Sequence, residues 1–407
     1  MKRPILTFVG TVLCLSAAAC SANPRTATGS AAPGGSSSAH RPTTTTRPPA
    51  PVNVYAAAGV DALTGAARKA KPLVYVPNSQ SNTVDVIDPS TYRIVDHFPT
   101  GREPQHVVPS WDMKTLWVND DHGNDLIPID PTTGKPGPKV PVMDPYNLYF
   151  TPDGSHALVM AERLRRIDVH DPHTMAFERS LPVPCYGINH ADFSADLSYF
   201  IASCEFSGKL IVVDRNATRI IKTINLNPIR TPGATSPGMA HSMGGPKSGL
   251  RPGASSMPQD VRLTPDGTRF LVADMLRNGV WVINAKTAAY EGFIHTGTGA
   301  HGIYPDRAGK RLFISNRDAG SISVLDAKTL APVALWTIPG GGSPDMGGVS
   351  ADGRTLWLSG RYDGVVYVFD TTTGKVIHRI KVGAGPHGLA VWPQPGRFSL
   401  GHTGNMR

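Results

Sequence analysis

A repeat of about 42 residues restricts the possible folds of this chain more than any other feature. One column reads "VYVPN" (74–78), "LWVND" (116–120), "LVMAE" (158–162), "FIASC" (200–204), "FLVAD" (270–274), "LFISN" (312–316) and "LWLSG" (356–360). About ten residues after each comes a second column: "VDVID", "LIPID", "IDVHD", "LIVVD", "VWVIN", "ISVLD" and "VYVFD". Turns of "PDG" type precede several units, at 151–154, 194–197, 264–267 and 350–353. These are short, β-branched and aromatic runs bounded by turn residues, and no helical periodicity of useful length competes with them. A small twisted sheet cannot cover both of its faces alone, so such units pack face to face in a ring. Seven of them, with four strands each, predict an all-β, seven-bladed β-propeller.

The ends of the repeat predict how the ring closes. "LVYVPN", "TVDVID" and "IVDHFP" supply three strands with no innermost strand before them. "GLAVWP", near residue 390, supplies an innermost strand with no outer three after it. Joined, they complete one blade and leave no unpaired edge. The propeller is therefore expected over 57–395, with 396–407 as a C-terminal tail.

The "VYVPN…VDVID" and "GxxPHGLAV" patterns resemble the YVTN-type β-propeller repeat proteins of bacterial cell envelopes. The resemblance spans about 70–395 and implies fold and compartment. It implies no particular activity, because propellers host many.

Residues 1–19 read as a signal peptide: a basic "MKR", then an apolar run too short to span a bilayer. "SAAAC" resembles a lipobox, which makes Cys20 the expected lipid-bearing residue and places the protein on the outer face of the cytoplasmic membrane. Residues 20–56, rich in Ser, Thr, Pro and Ala, read as a disordered tether. The formal charge of +9 falls to +7 without Lys2 and Arg3, and to +4 without Arg25, Arg41 and Arg47. A body so weakly charged, with no Lys/Arg run, argues against nucleic acid as a partner. A monomer is expected.

No nucleophile elbow, phosphate loop, HExxH or paired-carboxylate motif occurs. "DDHGND" (120–125) lacks the spacing and final glutamate of a calcium loop. In a propeller the ligand site is expected at the mouth of the central channel, where chains enter the innermost strands. Arg163, Arg317 and Arg361 fall on that face, as do His106, His190, His301 and His387. A ring of imidazoles on the axis is similar to that of nitrous oxide reductase, which holds a copper cluster among propeller histidines. Counting back from the turn glycines sets His106 and His190 one position away from His301 and His387. Neighbouring strand positions face opposite ways, so the four are not expected to converge on one metal.

An insertion at about 228–256 should return over the same mouth, and its Met239, His241 and Met243 offer soft ligands suited to copper. Cys185 and Cys204 flank one hairpin and are expected to pair in an oxidising compartment. The expected function is binding of a small ligand or an envelope partner at the mouth. The competing expectation is an enzyme on that face, either a copper oxidoreductase or a lactonase-like hydrolase.

Overall fold

The computed structural model describes residues 53–231, 250–402 and 404–407. The signal, Cys20, most of the tether, and Met239, His241 and Met243 lie outside the described residues. What is described is a seven-bladed propeller of antiparallel sheets. The closing blade runs as anticipated: Ala390–Trp392 pairs with Leu73–Asn78, with Trp392 opposite Leu73 and Ala390 opposite Tyr75.

Burial explains the sequence columns. Thr355–Gly360 and Val365–Asp370 lie within a blade, covered on both sides by neighbouring blades, and are almost continuously buried and apolar. The outermost strand Val376–Lys381 faces solvent and reads "VIHRIK". Seven apolar clusters fill the seven blade interfaces, and Phe313, at 0 % exposure in one of them, contributes roughly 1.5–3 kcal/mol. In the second blade the outermost strand is broken into Lys135–Pro136 and Val140–Pro141, because three prolines (Pro136, Pro138, Pro141) cannot donate to a ladder.

The "PDG" turns are closed by their own side chains. Thr151 Oγ1 donates to Asp153 Oδ1 at 2.8 Å, and Gly154 follows at φ +71°. In the "SADL" turn Leu197 holds the same left-handed conformation at φ +59°, so glycine is favoured here but not indispensable. Cys185 and Cys204 form a disulfide, with Cα atoms 5.9 Å apart. Closing a loop of this length contributes about 3 kcal/mol by chain-entropy reasoning.

Packing begins before residue 57 and continues past 395. Val54 N–H donates to the Pro265 carbonyl, and Tyr55 is buried, its hydroxyl donating to the Leu263 carbonyl. Residues 396–407 do not trail away as a tail. They fold under the blades, with Leu400 and Met406 at 0 % exposure. Ser399 N–H donates to the Trp111 carbonyl, beyond the far ends of the innermost strands. The two segments meet where the Arg407 guanidinium lies over the Tyr55 ring at 4.9 Å, and Gly396 bridges to Leu63.

Candidate metal centre in the channel

The innermost strands begin around the channel, and most begin irregularly. Pairing register slips between Pro104 and His106, Ile188 and Ala191, Pro258 and Val261, Ala300 and Ile303, and Pro344 and Gly347. Such bulges bend a strand and break the strict alternation of its side chains. The histidines that a regular strand would separate therefore meet. Ring centroids lie 5.5 Å apart for His106 and His190, 4.9 Å for His106 and His387, 6.1 Å for His190 and His301, and 5.8 Å for His301 and His387. A fifth imidazole, His402, comes from the segment under the blades and sits 4.7 Å from His190 and 5.3 Å from His106. The four repeat histidines line one channel, yet the candidate ligand group takes only His106 and His190 of them, in keeping with the one-position offset counted along the repeat.

The five imidazoles fall into two groups. His301 and His387 share Asp345: His387 Nδ1 lies 2.7 Å from Oδ2, and His301 Nδ1 lies 3.2 Å from Oδ1. Arg317 also binds Asp345, at 2.9 Å through Nε and 2.5 Å through a terminal nitrogen. His106, His190 and His402 form the second group, with one ligand nitrogen from each within 4.8 Å of the others. His106 Nδ1–H donates to the Tyr146 carbonyl at 2.8 Å, which leaves Nε2 with its lone pair. Asn147 Nδ2, whose amide oxygen accepts from Leu148 N–H, donates to Nδ1 of both His190 and His402 at 3.1 Å, so without an ion the proton of each ring sits on Nε2. Nε2 of His106 and Nε2 of His190 are buried with no hydrogen-bond partner, and Nε2 of His402 stands 3.7 Å from Asp260 Oδ1.

Burial disfavours the charged imidazolium and holds His106 down at about 4, with His190 and His402 well below the ordinary 6.5. All three are neutral near pH 7, the form that ligates metals. At metal–nitrogen bonds of about 2.0–2.1 Å, three such nitrogens would stand roughly 3.3 Å apart. The present spacing reaches that with ring shifts on the order of 1 Å. The partner on Nδ1 of His106 is the kind that fixes a metal-bound imidazole in place. Three neutral imidazoles with Asp260 alongside suit a divalent ion of the zinc or copper kind.

Gly388, in the "PHG" stretch, has a local reason. A Cβ there would stand 2.1 Å from His106 Cδ2, so only glycine leaves room for that ring. Its backbone also ties the closing blade to the next, since Gly388 N–H donates to the Gln105 carbonyl and Val107 N–H to that of Gly388.

The mouth above is rich in carboxylates. Arg163 is taken up by Asp144, at 2.7 Å from Nε, and by the Asp121 carbonyl at 2.8 Å. Arg361 donates to the Gly385 carbonyl at 3.3 Å. Glu162 and Glu205 are both buried, and Glu205 accepts from Asn189 Nδ2 at 2.6 Å. Burial, then the nearby Glu205, pushes the Glu162 carboxyl well above its ordinary value, and burial also raises that of Glu205. Oxygen atoms of Gln105, Glu162 and Asn189 are buried here without hydrogen-bond partners. This sector of the mouth offers oxygen acceptors, and its buried carboxyls hold their protons more tightly than usual until a cation arrives to favour the ionised form.

The channel thus unites His106, His190, His301, His387 and Arg317, while Arg163 lies on the mouth rim. The sequence reading did not single out His402, Asp260, Asn147 or Asp345 as functional. For Asn147, Asp260 and Asp345 a signal existed, since they occupy the same repeat positions as the histidines. His402 had only a weak one: a polar residue between Gly401 and Gly404, both at left-handed φ.

The fold and this channel define a seven-bladed propeller with a buried, imidazole-lined axis. A family model for the YNCE-like β-propeller matches residues 49–175 and 247–395, and the chain belongs to that family. No curated protein matches it. Among solved structures, hydrazine synthase of Kuenenia stuttgartiensis is similar at 17 % identity and a TM-score of 0.58, over 74 % of this chain and 93 % of that one. A functionally unknown protein from Desulfotomaculum acetoxidans is similar at 15 % identity and 0.59, over 78 % and 98 %. Dihydro-heme d1 dehydrogenase NirN, in complex with DHE, is similar at 16 % identity and 0.55, over 81 % and 77 %. At these identities the likeness is one of fold.

Proposed function

We propose that this protein is an extracytoplasmic metal-binding propeller, whose ligand is a zinc- or copper-type ion held by His106, His190 and His402. One observation carries the reading: two buried Nε2 atoms, of His106 and His190, have no hydrogen-bond partner and lie beside a third imidazole. Leaving a buried polar atom unsatisfied costs about 1–3 kcal/mol. A bound ion removes that penalty at His106 Nε2 directly, and at His190 Nε2 once the proton moves to Nδ1 and the bond from Asn147 Nδ2 is given up. The mouth supports the reading with buried carboxyl and amide oxygens that can pass a cation inward. The secretory and lipobox patterns at the start of the chain support a place on the outer face of the cytoplasmic membrane, anchored through Cys20 and the tether.

A second reading is an enzyme at the same ion. Three protein ligands would leave a coordination position open, as catalytic sites do, and His387 and Tyr146, 3.5 Å apart, both contact the His106 ring. The mouth arginines favour a hydrolase less, because Arg163 and Arg317 are already engaged by Asp144 and Asp345.

The test is metal content. The full chain is offered zinc and copper separately, desalted and analysed. About one ion per chain, lost in His106→Ala and His190→Ala variants that still fold, is the expected result. Wild-type protein free of metal after both treatments would overturn the reading.

A further inference from the structure

The third imidazole is not part of the repeat. His402 stands on residues 396–407, which bury themselves under the blades through contacts that differ from those of the propeller. Leu400 and His402 flank a bridge between Gly401 and Tyr149. Phe150 N–H donates to the Leu400 carbonyl at 3.0 Å, and His402 N–H to the Leu148 carbonyl at 3.0 Å. Gly401, at φ +93°, lets the backbones meet, since a Cβ there would stand 2.4 Å from the Leu148 oxygen. Farther along, Asn405 Nδ2 donates to the Ala191 carbonyl at 3.0 Å, and Arg407 donates to Asp192 Oδ1 at 2.8 Å. Phe398 stacks on Trp111 at 5.5 Å. The segment thus crosses the second, third and fourth blades and delivers one imidazole to the channel from the side opposite the mouth.

Resting on the metal reading above, we propose that residues 396–407 are a ligand-bearing plug, whose docking and the binding of the ion are one linked equilibrium. His106 and His190 come from two blades and are fixed by the ring. His402 comes from a segment held by hydrogen bonds, by ring contacts of Phe398 with Trp111 and of His402 with Tyr149, and by the burial of Leu400 and Met406, none of them part of a blade's own ladder. An ion bound by all three ties that segment to the blades, so releasing the ion loosens the plug and loosening the plug weakens the site. The reciprocity follows from linkage, because an ion that prefers the docked state must stabilise it. With the far side closed by this segment, exchange of the ion would run through the mouth.

Zinc is the probe, and the full chain is the sample. Zinc affinity is measured by competition with a chelator for wild type, His402→Ala and His402→Gln. Amide hydrogen exchange of the peptide containing Leu400 and His402 is followed with and without zinc. The expected outcome is affinity at least tenfold weaker in both variants. In the wild type, exchange of that peptide should slow by up to about 100-fold when free zinc reaches 100 times its Kd. Wild-type affinity in both variants would overturn the plug and remove His402 from the ligand set, leaving an ion on His106 and His190. An unchanged exchange rate in zinc-bound wild type would overturn the plug alone. Wild type that binds no zinc or copper would remove the metal reading itself, and the plug with it.

Discussion

His387 Nδ1–H donates to Asp345 Oδ2 across 2.7 Å in the fully buried channel. The carboxylate can only accept, so it fixes the tautomer and leaves the His387 Nε2 lone pair facing the Tyr146 hydroxyl at 3.5 Å. Burial alone would push the Asp345 carboxyl up, but Arg317 outweighs it, with help from His301 and Arg361, and holds the group below the usual carboxylate range. One ionised carboxylate thereby orients His387 and lies within 3.2 Å of His301 Nδ1.

Acid should weaken the metal-free protein. His106 is held at about 4, and His190, His301, His387 and His402 lie well below 6.5, in each case chiefly through burial. The unfolded chain binds more protons than the native one in this window. Stability contributed by the neutral imidazoles is thus complete above pH 6.5 and is lost as pH falls toward 4. Each contributes up to about 1.4 kcal/mol per pH unit. Urea unfolding at pH 6.5, 6.0, 5.5 and 5.0 should show a steady fall, and a flat profile would argue against five neutral buried histidines.

The Glu162 carboxyl should act in the opposite direction. Its raised pKa means that the native state binds the extra proton, so its contribution is present below pH 4.5 and is lost as pH rises. Glu162→Gln mimics the protonated form at every pH. From pH 5 to 8 the stability of wild type should decline relative to this variant, with a slope difference of up to about 1.4 kcal/mol per pH unit. Parallel profiles for the two proteins would rule out a buried, proton-binding Glu162.

Gly388→Ala places a methyl group against the His106 ring, 2.1 Å from Cδ2 on the present backbone. Overpacking of this kind costs roughly 1–3 kcal/mol and displaces the ring. Zinc affinity should fall at least tenfold along with stability. Gly292→Ala serves as the comparison, since a Cβ at 292 meets nothing within 4 Å, and it should leave zinc affinity unchanged. Normal affinity in Gly388→Ala would show that the position of the His106 ring is not critical.

Blade number, ring closure and the Cys185–Cys204 bridge could be read from the chain because each depends on local pattern. A strand buried on both faces must be apolar along its length, as in "VVYVFD". A turn that needs a left-handed residue selects one, as Gly154 does. The channel could not be read in this way. Strand alternation separated His106 and His190 from His301 and His387, and the two groups of imidazoles keep that division, but which rings touch along the channel depends on bulges at the strand starts. His402 reaches Asn147 across 255 residues, through a segment that carries no repeat signature. Local periodicity determined the scaffold, because each blade buries the same surfaces in the same order. Tertiary structure alone brought five imidazoles together, because irregular backbone and a returning segment place side chains that no repeating pattern can encode.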